Sequence, residues 1–141
     1  QVDRALEELS ITTLGERDIG DLSGGQRQLV SAAQALVQEP EILMLDEPTS
    51  ALDLNRQISL LTVLRRLADE RQMLILVALH DLGHALRFAD AAMMLENGRL
   101  IACGPTADVI TPALLRQVYR VSARIESCSK GQPQLIVEAA I

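Results

Sequence analysis

The segment LMLDEPTSALD, residues 43–53, raises the first question about this chain, because an apolar stretch ends there in two adjacent carboxylates. Residues 41–46 are too few for a helix and apolar on both faces, which predicts a buried strand of a parallel sheet. Buried carboxylates are costly unless they are paired or bind a metal, which disfavours a purely structural role for Asp46 and Glu47. Since successive residues of a strand point to opposite sides, we expect the two side chains to diverge.

Helices and strands alternate around this segment, as they do in α/β proteins with a parallel sheet and flanking helices. The predicted elements are a helix over 2–9, a turn-rich stretch over 11–22, a helix from Ser23 closed by Pro40, the strand over 41–46, a helix over 55–71, a second buried strand over 73–79 and a helix capped by Asp81 and running to about Phe88. The predicted apolar faces contain Val2, Leu6 and Leu9 in the first helix, Leu29, Ala33, Leu36 and Val37 in the second, and Leu61, Leu64 and Ala68 in the third.

The last third of the chain has a different pattern, with two predicted C-terminal β-hairpins. Asn97-Gly98 lies between two apolar runs and is a strong hairpin signal. A terminal hairpin is predicted over 121–126 and 134–138. Two short helices are expected between the hairpins, over 105–110 and 112–119, each with proline in its first turn.

The composition of the 141 residues, 48% apolar and 23% charged, is that of an ordered domain. The net charge of −6 and the near absence of aromatic residues argue against nucleic acid as a partner. The longest apolar run, residues 73–79, is far shorter than the roughly 20 residues of a membrane span. No signal peptide is recognisable. Cys103 and Cys128 form no CxxC pair, so we expect two reduced thiols in a cytosolic protein.

The sequence DLSGGQRQ, residues 21–28, has the features of an anion site at a helix N-terminus. Ser23 stands where an N-cap is expected, and Gly24 and Gly25 leave the first-turn amides unobstructed. A serine followed by two glycines is also an ordinary helix cap. Both interpretations stay open on these residues alone.

Further candidates lie where the two predicted strands end. Ligands of doubly wound sheets bind at the carboxyl ends of the strands, where Asp46 and Glu47 emerge. One carboxylate could serve a hydrated Mg²⁺ and the other a water molecule, a division suited to phosphoryl transfer. His80 follows the second strand at the same edge, whereas His84 is expected to be an ordinary helix residue. Residues 50–53, SALD, could be only a turn and a helix cap.

Taken in order, these segments resemble the motifs of ATP-binding cassette (ABC) ATPases. Residues 22–26, LSGGQ, resemble the signature loop, and residues 42–47 resemble the Walker B strand with its catalytic glutamate. Residues 50–53 resemble the D-loop, and His80 resembles the switch histidine. Four such motifs in this order are specific, and the resemblance covers essentially the whole chain.

The resemblance implies a P-loop NTPase-like parallel sheet and a role for each motif, with ATP and Mg²⁺ as the bound groups. Glu47 would polarise the attacking water as general base, and His80 would contact the γ-phosphate. Asp46 would hold Mg²⁺ through water, and Asp53 would cross a dimer interface. The γ-phosphate of an ATP held mainly by the opposite subunit would be bound by Ser23, Gly24, Gly25 and Gln26.

The phosphate loop of the family, GxxxxGK[ST], is not among these residues, since the only lysine is Lys130. We therefore expect a truncated fold, the C-terminal part of one nucleotide-binding domain that is inactive by itself. Its expected parts are 1–40, the end of a helical subdomain with the signature, 41–104, the core from Walker B to His80, and 105–141, a C-terminal extension. Gln34 stands where many members of the family have arginine, which puts a supporting charge pair in doubt.

Two longer segments resemble the ATPases of bacterial iron-siderophore, haem and cobalamin importers, namely ALHDLGHALRFAD (78–90) and GPTADVITPALLRQVY (104–119). This resemblance implies a homodimer with a second ATPase subunit, at the cytoplasmic face of the inner membrane. Transmembrane permease subunits would be the direct partners, and a substrate-binding protein an indirect one. The alternatives are a non-transport ABC ATPase of repair or ribosomes, disfavoured by the lack of basic patches, or a non-catalytic fragment that acts through a partner subunit.

Overall fold

The computed structural model describes all residues from 1 to 141, which form two compact units, 1–80 and 81–141. The first unit contains α1 (Val2–Glu8), two 3₁₀ helices (Thr12–Leu14 and Ile19–Asp21), α2 (Gly24–Val37), β1 (Ile42–Asp46), α3 (Leu54–Arg71) and β2 (Leu74–Ala78). The second contains α4 (Leu82–Phe88), β3 (Ala91–Glu96), β4 (Arg99–Pro105), α5 (Thr106–Val109), α6 (Pro112–Tyr119), β5 (Val121–Ser127) and β6 (Pro133–Ala140). Each predicted helix and strand is present near its expected position.

Strands β1 and β2 pair in parallel, and α3 forms the crossover between them. The register places Ile42 opposite Leu74 and Asp46 opposite Ala78, so both strands end at the same edge. The predicted parallel sheet is confirmed. Helix α2 packs against β1 and α3 against β2. The buried residues of these helices are Gly25, Leu29, Ala32, Ala33 and Leu36 in α2, and Leu60, Leu61, Leu64 and Leu67 in α3.

The prediction that β1 is buried on both faces is wrong, and so is the prediction of a second buried strand, since no residue of β2 is buried. Leu43 is 3% exposed, whereas Ile42 and Met44 on the opposite face are 57% and 73% exposed. The reason is that the helices of this unit cover only the side of the sheet that carries Leu43. All three predicted apolar faces also differ in detail. Val2 of α1 is 58% exposed, and Leu6 of α1, Val37 of α2 and Ala68 of α3 are only half-buried.

The second unit contains the two predicted hairpins, β3–β4 and β5–β6, both antiparallel. Asn97 and Gly98 join the first pair with φ values of 48° and 74°, the two left-handed residues that a type I′ turn requires. The core of this unit consists of Met94, Val109, Ile110 and Leu115. One boundary differs from the prediction, because Pro105 ends β4 and precedes α5 instead of lying in its first turn.

Both cysteines are free, as expected from the absence of a CxxC pair. Cys128 lies at the turn of the terminal hairpin, where the backbone N–H groups of Lys130 and Gln132 lower the pKa of its thiol. None of the helices has the length and apolar character that crossing a membrane requires.

Candidate functional site

The carboxylate of Glu47 and the imidazole of His80 meet just beyond the ends of the two parallel strands. Glu47 Oε1 lies 2.6 Å from His80 Nε2. A carboxylate oxygen and an imidazole nitrogen approach this closely only with a hydrogen between them, so Nε2 donates to Oε1. The sheet therefore brings together two residues that are separated by 33 positions in the sequence, as the position of His80 predicted.

This pair is open to solvent. The side chains of Glu47 and His80 are 44% and 77% exposed. The expectation that these carboxylates are buried is wrong in this chain, because the strand ends lie at an uncovered edge of the sheet. A penalty for burying charge therefore does not explain why two acidic residues end the strand.

The main chain of Glu47 has already left the strand. Its φ is 46°, in the left-handed region, and its N–H donates to Ala78 O at 3.2 Å. The alternation of side chains along a strand applies to Asp46 but does not fix the direction of Glu47, so the premise of the expected divergence is not met. The turn that follows β1 sets the direction of this carboxylate.

Asp46 is exposed, and its carboxylate makes no hydrogen bond or ion pair. The chain has no cluster of three or more side chains suited to hold a metal. Mg²⁺ usually keeps several waters and takes only one or two carboxylates together with phosphate oxygens. A single free carboxylate beside the Glu47–His80 pair fits this mode of binding, whereas a metal site made of protein alone does not fit.

The turn before α2 is a capping box. Gln26 N donates to Ser23 Oγ at 3.3 Å, and Ser23 N donates to Gln26 Oε1 at 2.8 Å. The N–H groups of Gly24 and Gly25 make no hydrogen bond within the chain. The capping interpretation is thus correct, and two free amides remain for an anion at the same turn.

Asp53 is the N-cap of α3. Its Oδ1 accepts from Arg56 N at 3.0 Å, and its Oδ2 lies 3.6 Å from Arg56 Nε. Asp81 likewise caps α4, as predicted, by accepting from the N–H groups of Gly83 and His84. His84 lies in α4, as predicted, and its side chain is buried.

One residue that sequence reasoning missed, Gln28, links α2 to the turn after β1. Its Nε2 donates to Glu47 O at 2.6 Å and to Ser50 Oγ at 3.2 Å. Its Oε1 accepts from Ala51 N at 3.3 Å. The available signal is helical spacing, because a residue three and four positions after Gly25 and Gly24 shares their face of the helix.

Gly25 also touches this turn. A Cβ atom at Gly25 would lie 2.6 Å from Ala51 O, closer than any real Cβ contact. At Gly24 the nearest atom would be Ala51 Cβ at 3.9 Å, an ordinary contact. The first turn of α2 therefore lies directly against the segment after the carboxylates.

Comparison with known proteins identifies relatives of this chain. Residues 1–50 match the ABC transporter family. The chain is 46% identical over 121 residues to an iron(3+)-hydroxamate import ATP-binding protein of Bacillus subtilis, across 86% of this chain and 45% of that protein. It is 39% identical over 146 residues to a hemin import ATP-binding protein of Nitrobacter winogradskyi, across 98% of this chain and 54% of that protein. The chain thus spans about half the length of these relatives.

Solved structures give the same result. A protein described as a metal-chelate type ABC transporter, in an inward-facing conformation, matches with a TM-score of 0.87 and 28% identity, over 98% of this chain and 56% of that one. A dimeric ATP-binding cassette in a post-hydrolysis state with ADP and Pi matches with a TM-score of 0.65 and 33% identity, over 74% of this chain and 46% of that one. With the motifs in the same order along the chain, these similarities show that it belongs to the family of ABC transporter ATPases.

Proposed function

We propose that these residues form part of an ATP-hydrolysing subunit that powers a bacterial importer of an iron-siderophore or a related metal chelate. The observation that carries the proposal is the contact between Glu47 and His80 at the ends of adjacent parallel strands. The relatives support the class of cargo by their names, which include iron(3+)-hydroxamate, hemin and cobalamin import. The subunit would work at the cytoplasmic face of the inner membrane, bound to permease subunits.

In this proposal Glu47 is the general base. His80 Nε2 holds Oε1 of the carboxylate, which leaves Oε2 to accept a proton from the water that attacks the γ-phosphate. The carboxylate thereby keeps one orientation, and positioning of the nucleophile is, together with charge stabilisation, most of what phosphoryl transfer needs from the protein. His80, which lies at the same edge of the sheet, would contact the γ-phosphate.

Asp46 is the residue that would hold Mg²⁺ through water, because its carboxylate is free and adjacent to the base. The metal, when bound, would neutralise charge on the β- and γ-phosphates. The free amides of Gly24 and Gly25, with Ser23 and Gln26, would face the γ-phosphate of an ATP held by a second subunit. Asp53 would lie at the interface of this dimer, an arrangement supported by the dimeric cassette among the similar structures.

The 141 residues by themselves are expected to lack ATPase activity. A GxxxxGK[ST] loop supplies the amide cradle and the lysine that bind the β- and γ-phosphates, and the sequence contains none. The activity is therefore to be measured in a full-length protein that carries such a loop together with these residues, with the 141-residue chain as the negative control.

The test of this function is the substitution Glu47→Gln in the full-length protein. The amide keeps the size of the side chain but cannot act as a base, so turnover should fall by about 10²-fold or more while ATP binding is kept. Glu16→Gln is the matched control, since Glu16 is exposed and its side chain makes no hydrogen bond or ion pair. Phosphate release and MgATP affinity are measured for both variants. Turnover close to that of the unmodified protein in Glu47→Gln would remove Glu47 from this role.

A further inference from the structure

We propose that Gln28 is a positioning residue for the general base, because its side-chain amide ties α2 to the main chain of Glu47. The proposal rests on the proposed function in one respect only, namely that Glu47 acts as the base. Gln28 itself makes no hydrogen bond with the Glu47 carboxylate or with His80. It acts on the backbone from which that carboxylate extends.

The amide of Gln28 reaches both ends of the turn after β1. It donates to Glu47 O at 2.6 Å and accepts from Ala51 N at 3.3 Å. Ser50 completes the arrangement, since its hydroxyl donates to Glu47 O at 3.0 Å and its N–H to the same oxygen at 3.1 Å. A single side chain from α2 therefore closes the turn across its opening.

This support has a physical reason. Glu47 is a non-glycine residue with φ of 46°, and such residues keep the left-handed conformation only where the surroundings enforce it. Its N–H is held by Ala78 O and its carbonyl by Gln28 and Ser50. With both peptide groups fixed, the side chain leaves the backbone in one direction, toward His80. Without the Gln28 donor, the carbonyl side of the residue depends on Ser50 alone.

Glutamine is the residue type that this position requires. Its amide is both a donor for a carbonyl and an acceptor for an N–H, and the two bonds use both ends of the group. Glutamate of the same length keeps the acceptor for Ala51 N–H but loses the donor and places a carboxylate against Glu47 O. Methionine has a similar length and neither function.

Gln28 also links Glu47 to the signature loop, residues 22–26. Gln28 and Gly25 lie on one face of α2, and Gly25 packs against Ala51 in the segment that Gln28 binds. A shift of the first turn of α2 would therefore reach Glu47 through Ala51 and the Gln28 amide. The orientation of the base is thus linked to the element that would meet the partner's nucleotide.

The test compares Gln28→Glu and Gln28→Met with Gln34→Glu. Gln34 lies on the exposed side of the same helix and its side chain makes no hydrogen bond, so its variant is a matched control for a new carboxylate on α2. The first readout is the ¹⁵N resonance of the His80 imidazole in the 141-residue chain. His80 and His84 are the only two histidines, so His84 serves as an internal reference. Circular dichroism confirms that each variant is folded.

We expect both Gln28 variants to move the His80 Nε2 resonance toward its value in Glu47→Gln, while the His84 resonance and Gln34→Glu stay unchanged. A residue that only stabilises the fold would lower the unfolding midpoint without this change. Gln28→Glu should keep the Ala51 amide protected from hydrogen exchange, and Gln28→Met should not. Folded Gln28 variants with an unaltered His80 resonance would overturn the proposal.

The second readout is steady-state hydrolysis in the full-length protein. A misdirected base should lower kcat by about tenfold or more, since small displacements of a reacting group have effects of this size or larger. KM for MgATP should stay within about twofold, because the interaction lost is made in the transition state. Unchanged kcat in the Gln28 variants of an active protein would contradict the proposal. Absence of hydrolysis in the unmodified protein would instead contradict the proposed function, and the resonance of His80 would still decide the role of Gln28.

Discussion

At the scale of single residues, the chemistry of this chain depends on a main-chain conformation. Glu47 has left-handed φ, its N–H and carbonyl are both bound, and its Oε1 meets His80. A glutamate at position 47 is not sufficient for this arrangement. With an extended backbone, its side chain would continue the alternation of side chains along β1. Because of the left-handed conformation at the end of β1, the Glu47 carboxylate points toward His80, which follows the neighbouring strand.

The fit of α2 against this turn predicts different effects for two neighbouring glycines. In Gly25→Ala the new methyl group would lie 2.6 Å from Ala51 O and 2.9 Å from Leu52 Cδ2, so backbone must shift. Overpacking of this kind costs about 1–3 kcal/mol of unfolding free energy. Gly24→Ala meets nothing closer than 3.9 Å and should change stability by less than about 0.5 kcal/mol or raise it, since alanine favours helix. Urea denaturation of the two variants provides the measurement, and equal midpoints would contradict the close packing.

At the scale of elements, Asp53 can stabilise α3 in two ways, as its N-cap and through its charge, and two substitutions separate these contributions. Its carboxylate accepts from Arg56 N, and its ion pair with the Arg56 side chain is exposed at 3.6 Å. Asp53→Ala should lower the free energy of unfolding by about 1 kcal/mol, the usual cost of a lost N-cap. Asp53→Asn should lower it by only a few tenths, because asparagine caps equally well and exposed ion pairs contribute about 0–1 kcal/mol.

Thermal unfolding of both Asp53 variants decides between these contributions. Equal destabilisation by alanine and asparagine would show that the charge, and not the cap, stabilises α3. If the expected difference is found, Asp53→Asn becomes a variant of normal stability in which the proposed role of this carboxylate at a dimer interface can be examined separately.

The elements were predictable from sequence because each carries a local signal. Asn97-Gly98 marks the turn between β3 and β4, Ser23 and Asp81 mark helix starts, and proline begins α6. The meeting of Glu47 and His80 was predictable as well, since neighbouring parallel strands end at one edge. The contacts of Gln28 were not, because helical spacing indicates the face on which Gln28 lies but not its partners 19 to 23 positions away. The exposure of β1 was not predictable either. It depends on which elements pack against each face of the sheet, and the sequence of the strand does not specify them.

At the scale of the whole chain, one apolar surface stands out. Ile42, Met44 and Leu74 lie on the same face of the β1–β2 sheet and are 57%, 73% and 53% exposed. Side chains that are opposite each other in a parallel pair share a face, so these three form a continuous patch next to unpaired strand edges. Contiguous exposed apolar surface of this kind promotes association.

We therefore expect the 141-residue chain to self-associate through this face, with a weight-average mass in sedimentation that rises with concentration. Ile42→Lys should weaken the association by about tenfold or more, equivalent to ~1.4 kcal/mol, because a lysine ammonium group resists removal from water. Val2→Lys is the matched control, since Val2 is a β-branched residue of nearly equal exposure, 58% against 57%, on α1 and outside the sheet. A chain that stays monomeric at every concentration, or equal weakening by both substitutions, would show that association does not use this face. Weakening confined to Ile42→Lys would locate the contact on the uncovered side of the sheet that carries Asp46 and Glu47 at its edge.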